Sequence, residues 1–119
     1  MKISKMTKKL NSDPVCAVDY AFQRIGGKYK GRIIWYIHTH TVLRYGELKR
    51  SIVGITPKML TQTLRELEED GLVIRKVYNE VPPKVEYTLT ESAKELIPFI
   101  DHLREWGDKR MGNYKIICQ

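Results

Sequence analysis

Cysteine is nearly absent from this chain: there are two in 119 residues, Cys16 and Cys118, near opposite ends. So few exclude a disulfide scaffold, and their spacing suits no zinc site, so a reducing compartment fits. Long apolar runs are missing too; none approaches the ~20 residues needed to cross a bilayer. The opening MKISKMTKKL is basic but lacks the apolar segment of a secretory signal. A cytoplasmic protein with no membrane partner is the expectation. There is no glycine-rich phosphate loop, and no Ser/His/Asp, Cys/His or carboxylate pair has a defensible catalytic spacing, so no enzyme is expected. Histidine is limited to His38, His40 and His102, which offer no converging third ligand. Neither a metal nor another cofactor is expected. His38 and His40 fall instead at a helix end, where histidine suits the dipole. Internal repeats and low-complexity stretches are absent.

What is present is an ordinary hydrophobic fraction, 42%, in a length that holds one domain with one core. The net charge is +7, unevenly spread. Residues 1–10 carry four lysines and no acid, and residues 24–65 carry nine Lys/Arg against one acid, Glu47. Residues 66–119 carry eight Lys/Arg against eleven acids. A basic middle beside an acidic rear suits a protein with one anion-facing side, although charge alone fits solvated faces equally well. The acidic stretches Glu66–Asp70 and Glu91–Asp101 read as solvated helix faces. The chain divides into a basic N-terminal arm, 1–13, one domain, 14–110, and a tail, 111–119.

Helical spacing of Val15, Val18, Phe22 and Ile25 predicts a first helix over 14–25, with Asp13 as N-cap, Pro14 in the first turn and Gly26-Gly27 as the stop. A second helix over 29–39 is apolar nearly all round, which predicts the centre of the core. A short extended piece at 42–44 precedes a third helix, 45–52. After the tight break Val53-Gly54-Ile55, Thr56-Pro57 opens a fourth helix to about Asp70, stopped by Gly71. Residues 72–78 and 84–90 are strand-like, joined by a loop whose Pro82-Pro83 cannot donate to a ladder. A last helix over 91–110, capped by Thr90, should be kinked by Pro98. The fold class is α+β, mainly α: a winged helix-turn-helix with a two- to three-stranded wing sheet and a helix at either end.

In the fourth helix, Lys58, Thr61, Gln62 and Arg65 lie opposite Leu60, Leu64 and Leu67. One stripe is anchored in the core while the other offers donors and acceptors to a major groove, the arrangement that base reading needs. With Thr56 and Pro57 these are the candidate base-reading residues. A generic amphipathic surface helix fits the same pattern; the preceding short helix and the following hairpin tip the reading towards double-stranded DNA. Arg44, Lys49 and Arg50, with Lys76, Asn79 and Lys84 in the wing, are candidates for backbone contact. Glu80 and Glu86 count against a strongly basic wing.

The segments IGGKYKGRIIW (25–35), PKMLTQTLRELEEDGL (57–72) and VPPKVEYTLT (81–90), with Trp106-Gly107, resemble the HxlR-type winged helix regulators over roughly residues 16–107. The resemblance implies a bacterial or archaeal homodimer, its first and last helices packed across the two-fold axis. One recognition helix per subunit, Thr56 to Arg65, would enter each of two major grooves about 34 Å apart on a pseudo-palindromic operator. Asn79 to Lys84 would form the wing. Tyr29 departs from the tryptophan usual in the family.

Cys16 matches a cysteine that many members of that family carry at the start of the first helix, where several act as thiol sensors of oxidants or electrophiles. A helix N-terminus favours the thiolate, while Asp13 and Asp19 oppose it. A small buried apolar residue is the plainer reading of Cys16. Cys118 is either a resolving partner or an idle thiol. Tyr20, Trp35, Tyr36, Phe99 and Trp106 could line an effector pocket, but nothing in the sequence supports a small-molecule effector over plain packing. Two other functions stay open: a protein–protein adaptor on the winged fold, and a ligand-responsive regulator without thiol chemistry.

Overall fold

The structure is a computed structural model that describes residues 13–112. Most of the basic arm, Cys118 and most of the tail lie outside the described residues. The elements are α1 (Ala17–Ile25), α2 (Lys30–His40), β1 (Leu43–Arg44), α3 (Tyr45–Ser51) and α4 (Pro57–Glu69), followed by β2 (Val73–Tyr78), β3 (Lys84–Leu89), α5 (Glu91–Lys94) and α6 (Ile97–Met111).

The core centres on α2, as its all-round apolarity predicts. Ile33 to Ile37 are all buried, and Leu48 of α3, Ile52 beyond it, and Leu60 and Leu67 of α4 close around them with essentially no exposure. The three strands form an antiparallel sheet in the order β1-β3-β2. Leu43 pairs with Tyr87, and Val73 with Leu89. Directly opposed residues share a face, so these four form the buried inner side of the sheet. The short extended piece at 42–44 thus supplies the third strand.

Two expectations are corrected at the terminal helices. The first helix begins at Ala17, not residue 14, and its cap is Cys16 rather than Asp13. Cys16 Sγ accepts from the Asp19 amide at 3.5 Å, and Asp19 Oδ2 reaches back to the Val15 amide at 3.0 Å. That pair does the work expected of Asp13. Nor is there one kinked C-terminal helix. Pro98 falls in the first turn of a separate helix, α6. In a continuous helix its ring would strike the Lys94 carbonyl, whereas in a first turn its missing N–H costs nothing. Thr90 does cap α5, accepting from the Ala93 amide at 3.1 Å.

Local geometry fixes the ends of the other helices. Thr56 Oγ1 accepts from the Met59 amide at 3.1 Å to start α4. At the far end Gly71, at φ +74°, closes a Schellman motif: its amide donates to Glu68 O at 3.0 Å and the Leu72 amide to Leu67 O at 2.9 Å. Helix α2 ends differently. Thr41 has φ 69° and ψ −50°, and the Val42 amide donates to His40 O at 2.7 Å. This is the strained form of the γ-turn, which costs a non-glycine residue about 1–3 kcal/mol.

Candidate nucleic-acid interface

Helices α3 and α4 are joined by a turn in which Gly54 has φ +88°, a conformation open to glycine without strain. Tyr29, buried at the start of α2, donates its hydroxyl to Gly54 O at 3.4 Å and so ties this turn to the core. Its aromatic ring fills a core position, as expected where the family usually has tryptophan.

Helix α4 is two-sided as its sequence predicts. Leu60, Leu64 and Leu67 are at most 2% exposed, while Lys58, Thr61, Gln62 and Arg65 are all exposed along the other side. The last four share one shallow surface concavity with Pro57. Thr56 and Pro57, also exposed, begin the same helix.

The stripe is not made of free side chains. Tyr45 Oη donates to Pro57 O and lies 3.1 Å from Thr61 Oγ1, which holds the first turn of α3 against the first turns of α4. Gln62 Nε2 donates to Glu66 Oε2 at 3.2 Å, and Glu66 Oε1 lies 3.3 Å from Lys30 Nζ. At the end of α4, Asp70 pairs with Arg24 at 3.7 Å. Glu66 and Asp70 are therefore not solvated acids, as their run implied; they face cations of the first two helices. Sequence reading missed Tyr45 because a lone tyrosine in a short helix announces no partner sixteen residues on.

The wing residues fall into two groups. Arg44 and Lys76 both stand opposite Glu86 in the sheet register, and Lys84 Nζ lies 3.9 Å from the same carboxylate. Three cations thus stand around Glu86, one of the two acids that counted against a basic wing. Lys76 and Lys84 also flank the Tyr78 ring, at 5.0 and 4.3 Å from its centroid. On the inner face, Arg75 pairs in register with Tyr87 and lines a groove with Tyr45, Thr61 and Arg65, about 480 Å³ in volume. Arg75 was also missed; the sequence marked residues 72–78 as a strand but did not show which of its faces would meet α4, and Arg75 is exposed beside that helix. Asn79 is exposed in the β2–β3 loop, Arg50 is exposed on α3, and Lys49 beside it is half-buried.

The five aromatics considered for an effector pocket do not converge. Trp35 and Tyr36 are buried in the core, Tyr20 lies under Arg24, Phe99 meets Phe22 edge to face, and Trp106 is exposed beside Arg110. Among the described residues no cluster of three His, Cys, Asp or Glu could hold a metal ion, and no helix is long and apolar enough to cross a membrane.

A short helix, a glycine turn and a second helix with an exposed polar stripe, followed at once by an antiparallel hairpin, define a winged helix-turn-helix protein. The particular family follows from comparison. The chain belongs to the HxlR-like helix-turn-helix family, whose model matches residues 24–115. It is 45% identical over 108 residues to the uncharacterised HTH-type transcriptional regulator YkvN of Bacillus subtilis, covering 86% of this chain and 91% of that one. Among solved structures it resembles the redox regulator HypR in its oxidised form, with a TM-score of 0.74 and 44% identity over 85% of this chain and all of that one. It also resembles diamide-treated YodB of B. subtilis, with a TM-score of 0.64 and 32% identity over 90% of this chain and 97% of that one. The protein is a transcriptional regulator of the helix-turn-helix type, not an enzyme.

Proposed function

We propose that the protein is a cytoplasmic homodimeric repressor that reads a pseudo-palindromic operator with α4 in the major groove and the wing on the flanking backbone or minor groove. The observation that carries this reading is the exposed stripe Lys58, Thr61, Gln62 and Arg65 on a helix seated by three buried leucines. Lys or Arg suits guanine, Gln suits adenine, and Thr suits a thymine methyl or a hydrogen-bond acceptor. Thr56 and Pro57 bring the helix start close to the bases, while Arg44, Lys49, Arg50, Lys76, Asn79 and Lys84 serve the phosphates. In this reading residues 14–110 are the DNA-binding and dimerising domain, with 1–13 and 111–119 as its arm and tail.

The dimer reading is supported by apolar side chains left exposed on the two terminal helices. Val18 and Phe22 of α1, Val15 just before it, and Leu103 and Trp106 of α6 are 43–87% exposed. Phe22 and Phe99, with ring centroids 6.1 Å apart, join the two helices into one surface. Such a patch on a small protein marks an interaction site.

The test is binding of a labelled duplex, chosen by genomic footprinting, across a salt series. Six to ten phosphate contacts predict a loss of about 10³–10⁵ in affinity between 50 and 200 mM salt. A protein indifferent to the footprinted duplex would instead be an adaptor on this fold.

A thiol-responsive version of this function is favoured by one observation. Cys16 is exposed and caps α1, the helix proposed to form the dimer surface. HypR and YodB, the structural relatives, are a redox regulator and a regulator studied after diamide treatment. Oxidation at Cys16 would remove the cap and disturb the dimer.

A further inference from the structure

A cleft of about 640 Å³ opens where the end of α2, strand β3 and the α5–α6 junction meet. Its apolar walls are Ile37, Leu89, Ile97 and Pro98. Its polar groups are the His38 ring, the Thr41 and Thr88 hydroxyls and the Lys94 ammonium, with no carboxylate among the lining residues. A site of this size with apolar walls and a few polar groups is the form that small-molecule sites take. Lys94 Nζ has a partner, Glu91 Oε2 at 3.1 Å, but that pair is on the surface, Glu91 being 90% exposed. Exposed pairs contribute little, so a guest carboxylate can compete for the ammonium.

A second, independent feature sits in the same wall. Thr41 is the strained centre of the γ-turn that joins α2 to β1 and, through β1, to α3. Backbone strain held in a wall of a cavity is a common mark of a switch. We infer that this cleft binds a small monocarboxylate with an apolar body, and that its occupancy is felt at the Thr41 turn. The apolar body lies on Ile37, Leu89, Ile97 and Pro98, and the carboxylate meets Lys94 and His38. The ligand contacts Thr41 directly, so any difference in fit between the strained and relaxed turn biases the position of β1 and α3. The binding itself does not depend on the DNA-reading assignment; only its consequence for regulation does.

Nuclear magnetic resonance on the full chain tests both halves, with benzoate and hexanoate as probes and benzamide as the uncharged control. The expected result is saturable shifts at Ile37, Thr88, Leu89 and Ile97, severalfold weaker for benzamide. Lys94→Glu, an exposed substitution, should weaken benzoate severalfold and leave benzamide unchanged. Exchange of the Val42 amide, which donates within the turn, should change at least fivefold at saturation. No saturable shift, or an affinity indifferent to Lys94→Glu, would overturn the site. Saturable binding with unchanged Val42 exchange would overturn the coupling. Shifts at the same residues on simple dilution, without probe, would assign the cleft to a second copy of the chain instead.

Discussion

The hydroxyl of Tyr45 lies 3.1 Å from both Pro57 O and Thr61 Oγ1, so one side chain of the first helix of the motif holds the start of the second. Because Thr61 belongs to the exposed stripe, this contact decides the orientation of a candidate base-reading group before any DNA arrives. Tyr45→Phe keeps the ring and removes the donor. The expected loss of stability is about 0.5–1.5 kcal/mol, the net worth of an ordinary hydrogen bond, read as a lower urea midpoint with unchanged slope. Operator affinity should fall too, by less than removal of a charged reading residue causes.

Arg65→Ala and Lys58→Ala act on exposed side chains and should leave unfolding within about 0.5 kcal/mol of wild type. Each should weaken binding to the footprinted duplex, with Arg65→Ala costing about 1–3 kcal/mol and relaxing preference at one base position. Affinities unchanged in both variants would remove α4 from the major groove.

Leu103→Glu introduces a charge into the apolar surface of α6, where Leu103 is 43% exposed. Leu103 is not part of the buried core, so the monomer should keep its fold by circular dichroism. Sedimentation should show a dimer at least tenfold weaker, because an unpaired carboxylate in an apolar interface must be desolvated. Unaltered self-association would mean that another surface joins the subunits.

Cys16→Ser separates the two roles of the N-cap. Serine is a strong N-cap, so stability should stay within about 1 kcal/mol of wild type. Release from DNA by diamide, measured in the wild-type protein, should be abolished. A variant that still responds would move the sensing thiol elsewhere, with Cys118 next to be replaced.

The elements of this fold were legible one by one because their signals are local. Thr56-Pro57 and Gly71 bound α4 through a side-chain cap, a ring and a positive φ, all within a few residues of where they act. The leucines at 60, 64 and 67 showed which side of that helix would be buried, and so which side would carry Lys58, Thr61, Gln62 and Arg65. The family resemblance rested on the same stretches and was shown by comparison. The terminal helices were read less well. Cys16 displaced Asp13 as cap, and Pro98 divided a helix it was expected to bend, because each outcome turns on which of two neighbouring carbonyl or amide groups finds a partner.

What tertiary structure decided was where charge goes. In the sequence, Arg24 and Lys30 belong to a basic middle and Glu66 and Asp70 to an acidic rear. Folding brings them together as the pairs Lys30–Glu66 and Arg24–Asp70. The positive face is thus smaller than the chain's charge distribution implied, and Glu66, the acid nearest the exposed stripe, is shared between Lys30 and Gln62. The strained Thr41 turn and the cleft beside it were equally invisible. Periodicity and capping act over one or two turns of chain, whereas these ion pairs and this cleft depend on groups tens of residues apart meeting within a few ångströms.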